Sequence, residues 1–179
     1  MSFRKLGERE VYRGHLIQVA EAMFQGDGEP FERTIVHHPG AVSVVPVDGD
    51  DVVLVRQYRA SVGTELLEIP AGKRDVDGEA VETTARRELA EEIGMAATDL
   101  EPLVDFYNSP GFCDEHMWIF LATGLTSCAD DRQGDEEQVM TVERHPLSSV
   151  GALIGSGAIV DAKTIIGLLL AVQRIGSRR

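Results

Sequence analysis

The sequence predicts an α/β chain of the α+β kind, a mixed sheet set between helices and preceded by an N-terminal β extension. Three observations carry this reading. Strand-like and helix-like segments follow one another without strict alternation. Two valine-rich runs are joined by a short acidic turn, which marks a central hairpin. At 179 residues, with 43% hydrophobic and 26% charged residues, the chain has the size and composition of a domain with a real core.

The elements can be justified in order. Before Pro39, the run Gly26-Asp27-Gly28-Glu29-Pro30 is a sharp turn between two weakly hydrophobic strands, and residues 1–38 read as an arm apart from the domain at 39–179. Ala41 to Val47 reads as a buried strand, Asp48 to Asp51 as a turn, and Val52 to Arg59 as the second strand of the hairpin. Leu66 to Ile69 is a short strand stopped by Pro70. A loop from Ala71 to Gly78 leads into a helix from about Glu79 to Ile93, which Gly94 ends. Leu103 to Tyr107 and His116 to Ala122 read as strands joined by the Pro-Gly loop at 109–112. The polar run Asp130 to Glu137 reads as a mobile surface loop and Val139 to Val142 as a strand. A last helix, Asp161 to Ile175, is apolar nearly all round, which calls for burial in the core or against a partner.

Charge and composition exclude several functions. With 17 Lys+Arg against 30 Asp+Glu the net charge is −13, which repels phosphate backbones and argues against nucleic-acid binding. No apolar run reaches the ~18 residues of a membrane span, and the first residues lack the apolar core of a secretory signal. Two cysteines, Cys113 and Cys128, make no disulfide framework, so a reducing, cytoplasmic location is expected.

The densest chemistry lies between Gly72 and Met95. On a helix, Glu88, Glu91 and Glu92 stand at i, i+3 and i+4 and share an arc of about 100°. Like charges so placed repel, and no Lys or Arg lies four residues beyond any of them. A hard divalent cation with oxygen ligands would neutralise them. A solvated acidic face is the other reading of the glutamates alone. Their surroundings favour the cation. Gly72 permits a tight backbone turn whose neighbouring carbonyl, that of Ala71, can also reach a metal, Glu79 and Arg87 can pair loop to helix, and Ala85, Leu89 and Ile93 form a packing stripe.

This pattern resembles the Nudix box: Gly, five residues, Glu, seven residues, Arg-Glu, an aliphatic residue, any residue, Glu-Glu, any residue, Gly, an aliphatic residue. Here it reads Gly72, Glu79, Arg87-Glu88-Leu89-Ala90-Glu91-Glu92-Ile93-Gly94-Met95, with six residues in place of five after Gly72. The extra residue falls in the turn at 75–78 and leaves the helical glutamates in register. The resemblance implies a Nudix α/β/α sandwich with a mixed central sheet, and hydrolysis of a diphosphate linked to another moiety. It implies a divalent cation, Mg²⁺ or alternatively Mn²⁺ or Zn²⁺, held by Glu88, Glu92, Glu91 and the Ala71 carbonyl, with Glu91 also a candidate for the catalytic set.

Further likeness narrows the substrate. Pro110 lies 15 residues beyond Met95, the spacing that marks the ADP-ribose pyrophosphatase subgroup. Arg56-Gln57-Tyr58-Arg59, Leu66-Leu67-Glu68-Ile69-Pro70-Ala71-Gly72 and Asp161-Ala162-Lys163-Thr164 are similar to that subgroup too. By this likeness Arg59 meets a substrate phosphate, while Arg33, Glu115 and the Pro110-Gly111-Phe112 loop help hold the substrate. His15 lies where the subgroup places an aromatic ring against adenine. The general base would be Glu136 or Glu137 on a late loop. The resemblance also implies a homodimer with exchanged N-terminal strands. The resulting expectation is conversion of ADP-ribose to AMP and ribose 5-phosphate. Its rivals are hydrolysis of a nucleotide sugar such as GDP-mannose and a non-catalytic domain that senses ADP-ribose. Cys113 reads as a loop thiol, without an identifiable base beside it.

Overall fold

The computed structural model describes residues 2–128 and 139–178. Two compact units are present, one of Met1–Gly40 with Phe106–His116 and one of Ala41–Asp105 with Met117–Arg179.

The first unit contains a three-stranded antiparallel sheet of β1 (Arg4–Arg13), β2 (Gln18–Gln25) and β3 (Phe31–His37) in that order. The predicted turn at 26–30 joins β2 to β3. The strand β1 is the addition. Its sequence, RKLGEREVYR, buries neither face, and every residue of it is exposed. Ala20 and Ala22 are fully buried on β2. The segment 109–115 is stitched to β3, with Val36 donating to the Phe112 carbonyl at 2.7 Å and Asp114 donating to the Val36 carbonyl at 3.1 Å.

The second unit is built on β4 (Ala41–Asp48), β5 (Asp51–Arg59), β6 (Thr64–Glu68), β7 (Ala71–Lys73), β8 (Met95–Tyr107), β9 (His116–Ser127) and β10 (Thr141–Pro146). The order is β10-β5-β4-β9-β8, with β6 on β5 and β7 on β4. The β4–β9 pair is parallel while β4–β5, β5–β6, β4–β7 and β5–β10 are antiparallel, so the sheet is mixed as predicted. The β4–β5 hairpin pairs Val47 with Val52 and Asp48 with Asp51, which places the turn where the sequence put it.

Helices cover both faces. On one, Val42, Val44, Val53, Val55, Phe120 and Ala122 pack against Ala85, Leu89 and Ile93 of α1 (Val81–Ile93). On the other, α3 (Ala162–Gly176) lies flat because Gly167 has no side chain; a Cβ there would meet Ile69 and Val45 at 3.0 Å. The alternation of Val44 and Val45 between the two helices is the period-two rule of a strand buried on both sides. A short α2 (Val150–Gly155) precedes α3.

Several boundaries differ from expectation. The predicted loop from Ala71 holds the three-residue strand β7, and β8 starts at Met95 rather than Leu103. The last strand runs from Thr141 to Pro146, and Val139 belongs to the turn before it. α1 begins two residues after Glu79 and ends at Gly94, whose φ of 64° lets its N–H return to the Ala90 carbonyl at 3.0 Å. α3 is not enclosed all round. It buries Thr164, Gly167, Leu168 and Ala171, while Leu169 stays 51% exposed and Val172 40%. No helix among the described residues is long and apolar enough to cross a membrane.

Candidate active site

α1 presents its glutamates to the strand that carries Ala71 and Gly72. Glu88 and Glu92 are buried, at 7% and 3% exposure. Burying a carboxylate costs several kcal/mol unless polar partners offset the loss of water. Part of that offset comes from β7. The Ala71 N–H donates to Glu92 Oε2 at 3.1 Å, and the Glu88 carboxyl fills the space where a Cβ at Gly72 would stand. The need for glycine at 72 is therefore close approach, not backbone strain. Both carboxylates are thus pinned against adjoining peptides of one strand.

Relief of the like charges comes from a residue the spacing argument passed over. The Arg87 guanidinium lies within 2.8 Å of Glu88, 2.9 Å of Glu91, 3.4 Å of Glu79 and 3.7 Å of Asp75. The search for cations four residues beyond each glutamate missed it because Arg87 stands four residues before Glu91. Burial opposes its charge, but Glu88, Glu79 and Glu91 outweigh that and hold its pKa above the ordinary arginine value. The predicted pairing of Glu79 with Arg87 is present despite the extra loop residue. Thr84 also donates to Glu79 at 2.8 Å, and with Arg87 it keeps the Glu79 carboxyl below the usual range. Among the described residues no three His, Cys, Asp or Glu side chains are grouped as a ready-made metal cage.

A second cluster adjoins the first. Arg59 grips Glu68 with both arms, Nε to Oε1 and Nη2 to Oε2, each at 2.7 Å. Glu68 is fully buried, and its Oε2 also accepts from Lys163 Nζ. Lys163 donates to Asp161 at 3.0 Å, and Asp161 caps α3 by accepting from the Thr164 N–H at 2.9 Å. Thr164 Oγ1 accepts in turn from the Ile69 N–H at 3.0 Å. The bond to Glu68 is the main reason the Arg59 pKa is raised, with Glu92 and Asp161 adding to it, so Arg59 lies within the field of the box helix. For Asp161, burial would raise the carboxyl pKa, but Lys163 and Thr164 outweigh it and hold it low.

The segment 68–72 thus makes a tertiary contact at every residue. Glu68 meets β5 and α3, Ile69 meets α3, Pro70 accepts from Val44 of β4 at 2.9 Å, Ala71 meets Glu92, and Gly72 meets Glu88. Reading the sequence gave roles in this stretch to Ala71 and Gly72 alone; Glu68, Lys163, Asp161 and Thr164 carried no assigned role.

The remaining candidates belong to the first unit. Arg33 lies over the Phe31 ring at 4.6 Å and donates to the Glu32 carbonyl at 2.8 Å. Glu115 is half-buried, with Oε1 3.9 Å from His38. Pro110, Gly111 and Phe112 form an exposed turn closed by Phe112 N–H on the Ser109 carbonyl at 3.1 Å, and Phe112 is 59% exposed. His15 is exposed in the bend between β1 and β2. Cys113 is a free, half-buried thiol. Glu136 and Glu137, the candidates for general base, lie outside the described residues, as does the run 130–137.

An α/β/α sandwich with this glutamate helix over Gly72 belongs to the Nudix family, and the NUDIX domain model matches residues 37–166. The chain is similar to the ADP-ribose pyrophosphatase of Bacillus subtilis (strain 168), at 37% identity over 163 residues, 90% of this chain and 88% of the relative. It is 40% identical over 138 residues to the ADP-ribose pyrophosphatase of Mycobacterium tuberculosis (strain ATCC 25618 / H37Rv), 76% of this chain and 67% of the relative. A crystal structure of an ADP compounds hydrolase matches it with a TM-score of 0.87 at 25% identity, covering 99% of this chain and 96% of that one.

Proposed function

We propose that the protein hydrolyses the diphosphate of ADP-ribose to AMP and ribose 5-phosphate, with Mg²⁺ as cofactor and a homodimer as the working form. The observation that carries the reading is the pair of buried carboxylates, Glu88 and Glu92, held against the Gly72 and Ala71 backbone. The residues fit a hard divalent cation. Every candidate donor is oxygen, from Glu88, Glu91, Glu92 and the Ala71 carbonyl, and the glycine cradle fixes one carboxylate where a side chain would displace it. A bound cation there supplies charge to offset the diphosphate and lowers the pKa of a nearby water.

The chain's own groups do the rest. Arg59, oriented by Glu68, meets a phosphate oxygen. Water adds to one phosphorus, the bridging P–O bond breaks, and Glu136 or Glu137 takes the proton of the water. Arg33, Glu115, His15 and the Pro110–Phe112 turn hold the remainder of the substrate. The exposed β1, with Leu6, Val11 and Tyr12 uncovered, supports a role for the N-terminal strands as a dimerisation arm, and half-exposed Leu169 and Val172 on α3 offer a further contact. The free thiols Cys113 and Cys128 support a cytoplasmic setting.

The test is direct. Purified protein with ADP-ribose and Mg²⁺ should release AMP, and a chelator should stop it. No AMP under these conditions ends the proposal for ADP-ribose, and preferential turnover of GDP-mannose in a substrate panel would move it to nucleotide sugars.

A further inference from the structure

Three segments outside the box, at 56–59, 66–71 and 161–164, converge on one carboxylate. Glu68 has no exposed surface, and two cations share it: Arg59, whose side chain is 31% exposed, and Lys163, which is almost fully buried. Lys163 reaches it across 95 residues of sequence. With Asp161 the cluster counts two negative and two positive groups, a balance that a buried ionic group needs.

The division of labour follows from geometry. A guanidinium that gives Nε and Nη2 to one carboxylate has its plane and direction fixed, and Nη1 is left out of that fork. How strongly Glu68 draws on Arg59 depends on how much of its charge another cation answers. We propose that Lys163 is a positioning residue for diphosphate binding: by sharing Glu68 it keeps Arg59 oriented yet electrostatically available to a phosphate oxygen. This rests on the reading of Arg59 as a phosphate contact. Lys163 Nζ bonds Glu68 and Asp161, so its proposed influence on substrate is indirect.

The experiment measures kcat and KM for ADP-ribose in five proteins: the parent, Lys163→Met, Asp161→Asn/Lys163→Met, Arg59→Gln/Glu68→Gln, and Arg59→Gln/Glu68→Gln/Lys163→Met. Lys163→Met should raise KM about tenfold and leave kcat within about threefold. The Asp161→Asn/Lys163→Met protein keeps a capping side chain and a balanced Glu68–Arg59 pair, so it retains the fold even where the single variant does not. It should show the same rise in KM, because Arg59 is then the sole counter-ion of Glu68. In the Arg59→Gln/Glu68→Gln background, where no buried charge is left unpaired at 68, loss of Lys163 should add less than about twofold, since its effect travels through Glu68 and Arg59. An unchanged KM in the Asp161→Asn/Lys163→Met protein overturns the proposal. So does an equal rise with and without Arg59, which would mark Lys163 as structural. If the parent releases no AMP, the proposed activity fails separately, and the same comparisons read from calorimetric Kd for ADP-ribose decide the role of Lys163.

Discussion

The box helix and the Glu68 cluster are neighbours that treat charge in opposite ways. Around Glu68 two carboxylates face two cations, each group bonded. On α1 the Arg87 guanidinium is spread over Asp75, Glu79, Glu88 and Glu91, with Glu92 buried nearby. A matched set is complete as folded. Carboxylates gathered along one helix face in low-dielectric surroundings repel one another, and that arrangement favours a cation. The difference teaches that carboxylate count alone does not mark a site; the local balance does.

Substitutions can break that contrast. Glu92→Gln should cut Mg²⁺-dependent AMP release by about two to four orders of magnitude, while the melting temperature without metal stays level or rises, because a repelling charge is gone. Glu68→Gln should do the reverse to stability. It leaves two cations facing one buried anion and should cost about 3–5 kcal/mol, seen as a melting point lower by roughly 10 °C. If the two variants change stability alike, the contrast is wrong. Gly72→Ala should force the Glu88 carboxyl aside and slow turnover about tenfold, with Mg²⁺ activation shifted to higher concentration in a titration. Asp161→Ala removes a cap and a partner of Lys163 and should cost about 1–2 kcal/mol in denaturant unfolding.

The smallest effect concerns the first unit, where His37 Nδ1 lies 2.5 Å from Asp114 and Nε2 lies 3.2 Å from Glu8, itself paired with Lys5. The bond to Asp114, helped by Glu8, raises the His37 pKa above 6.5. Its contribution to stability is therefore full below 6.5 and lost as pH climbs through the raised value. Asp114 and Glu8 are lowered from 3.8 and 4.5, so their contribution is full above those values and lost on acidification. The triad should stabilise most between 4.5 and 6.5. The gap in melting temperature between the parent and His37→Ala should shrink from about pH 5.5 to about pH 8.5. A gap that widens would reverse the assigned sign.

What was legible in the sequence was local. The i, i+3, i+4 glutamates, the Val-rich hairpin and the glycine that stops α1 are each set by residues a few positions apart, and each is where the spacing put it. What escaped depends on partners far along the chain. β1 has no buried face to give a period, and β7 is three residues that are strand only because β4 lies alongside. The early part of β8, with Asp99 and Pro102 in it, carries no strand signal of its own. The Arg59–Glu68–Lys163 contacts span 9 and 95 residues, beyond any motif window. Arg87 was visible but was weighed only as a partner of Glu79.

The stretch from Glu68 to Gly72 works as a gauge block. Five successive residues each make a contact of their own, with β5, β4 and two helices, so adding or deleting one would misalign every downstream contact by a full step and turn each side chain to the opposite face of the strand. The turn just beyond, at 75–78, absorbs a surplus residue without disturbing Glu79 or Arg87. A change of chain length is therefore tolerated on the far side of Gly72 and not before it, and anyone grafting a new specificity loop should splice there.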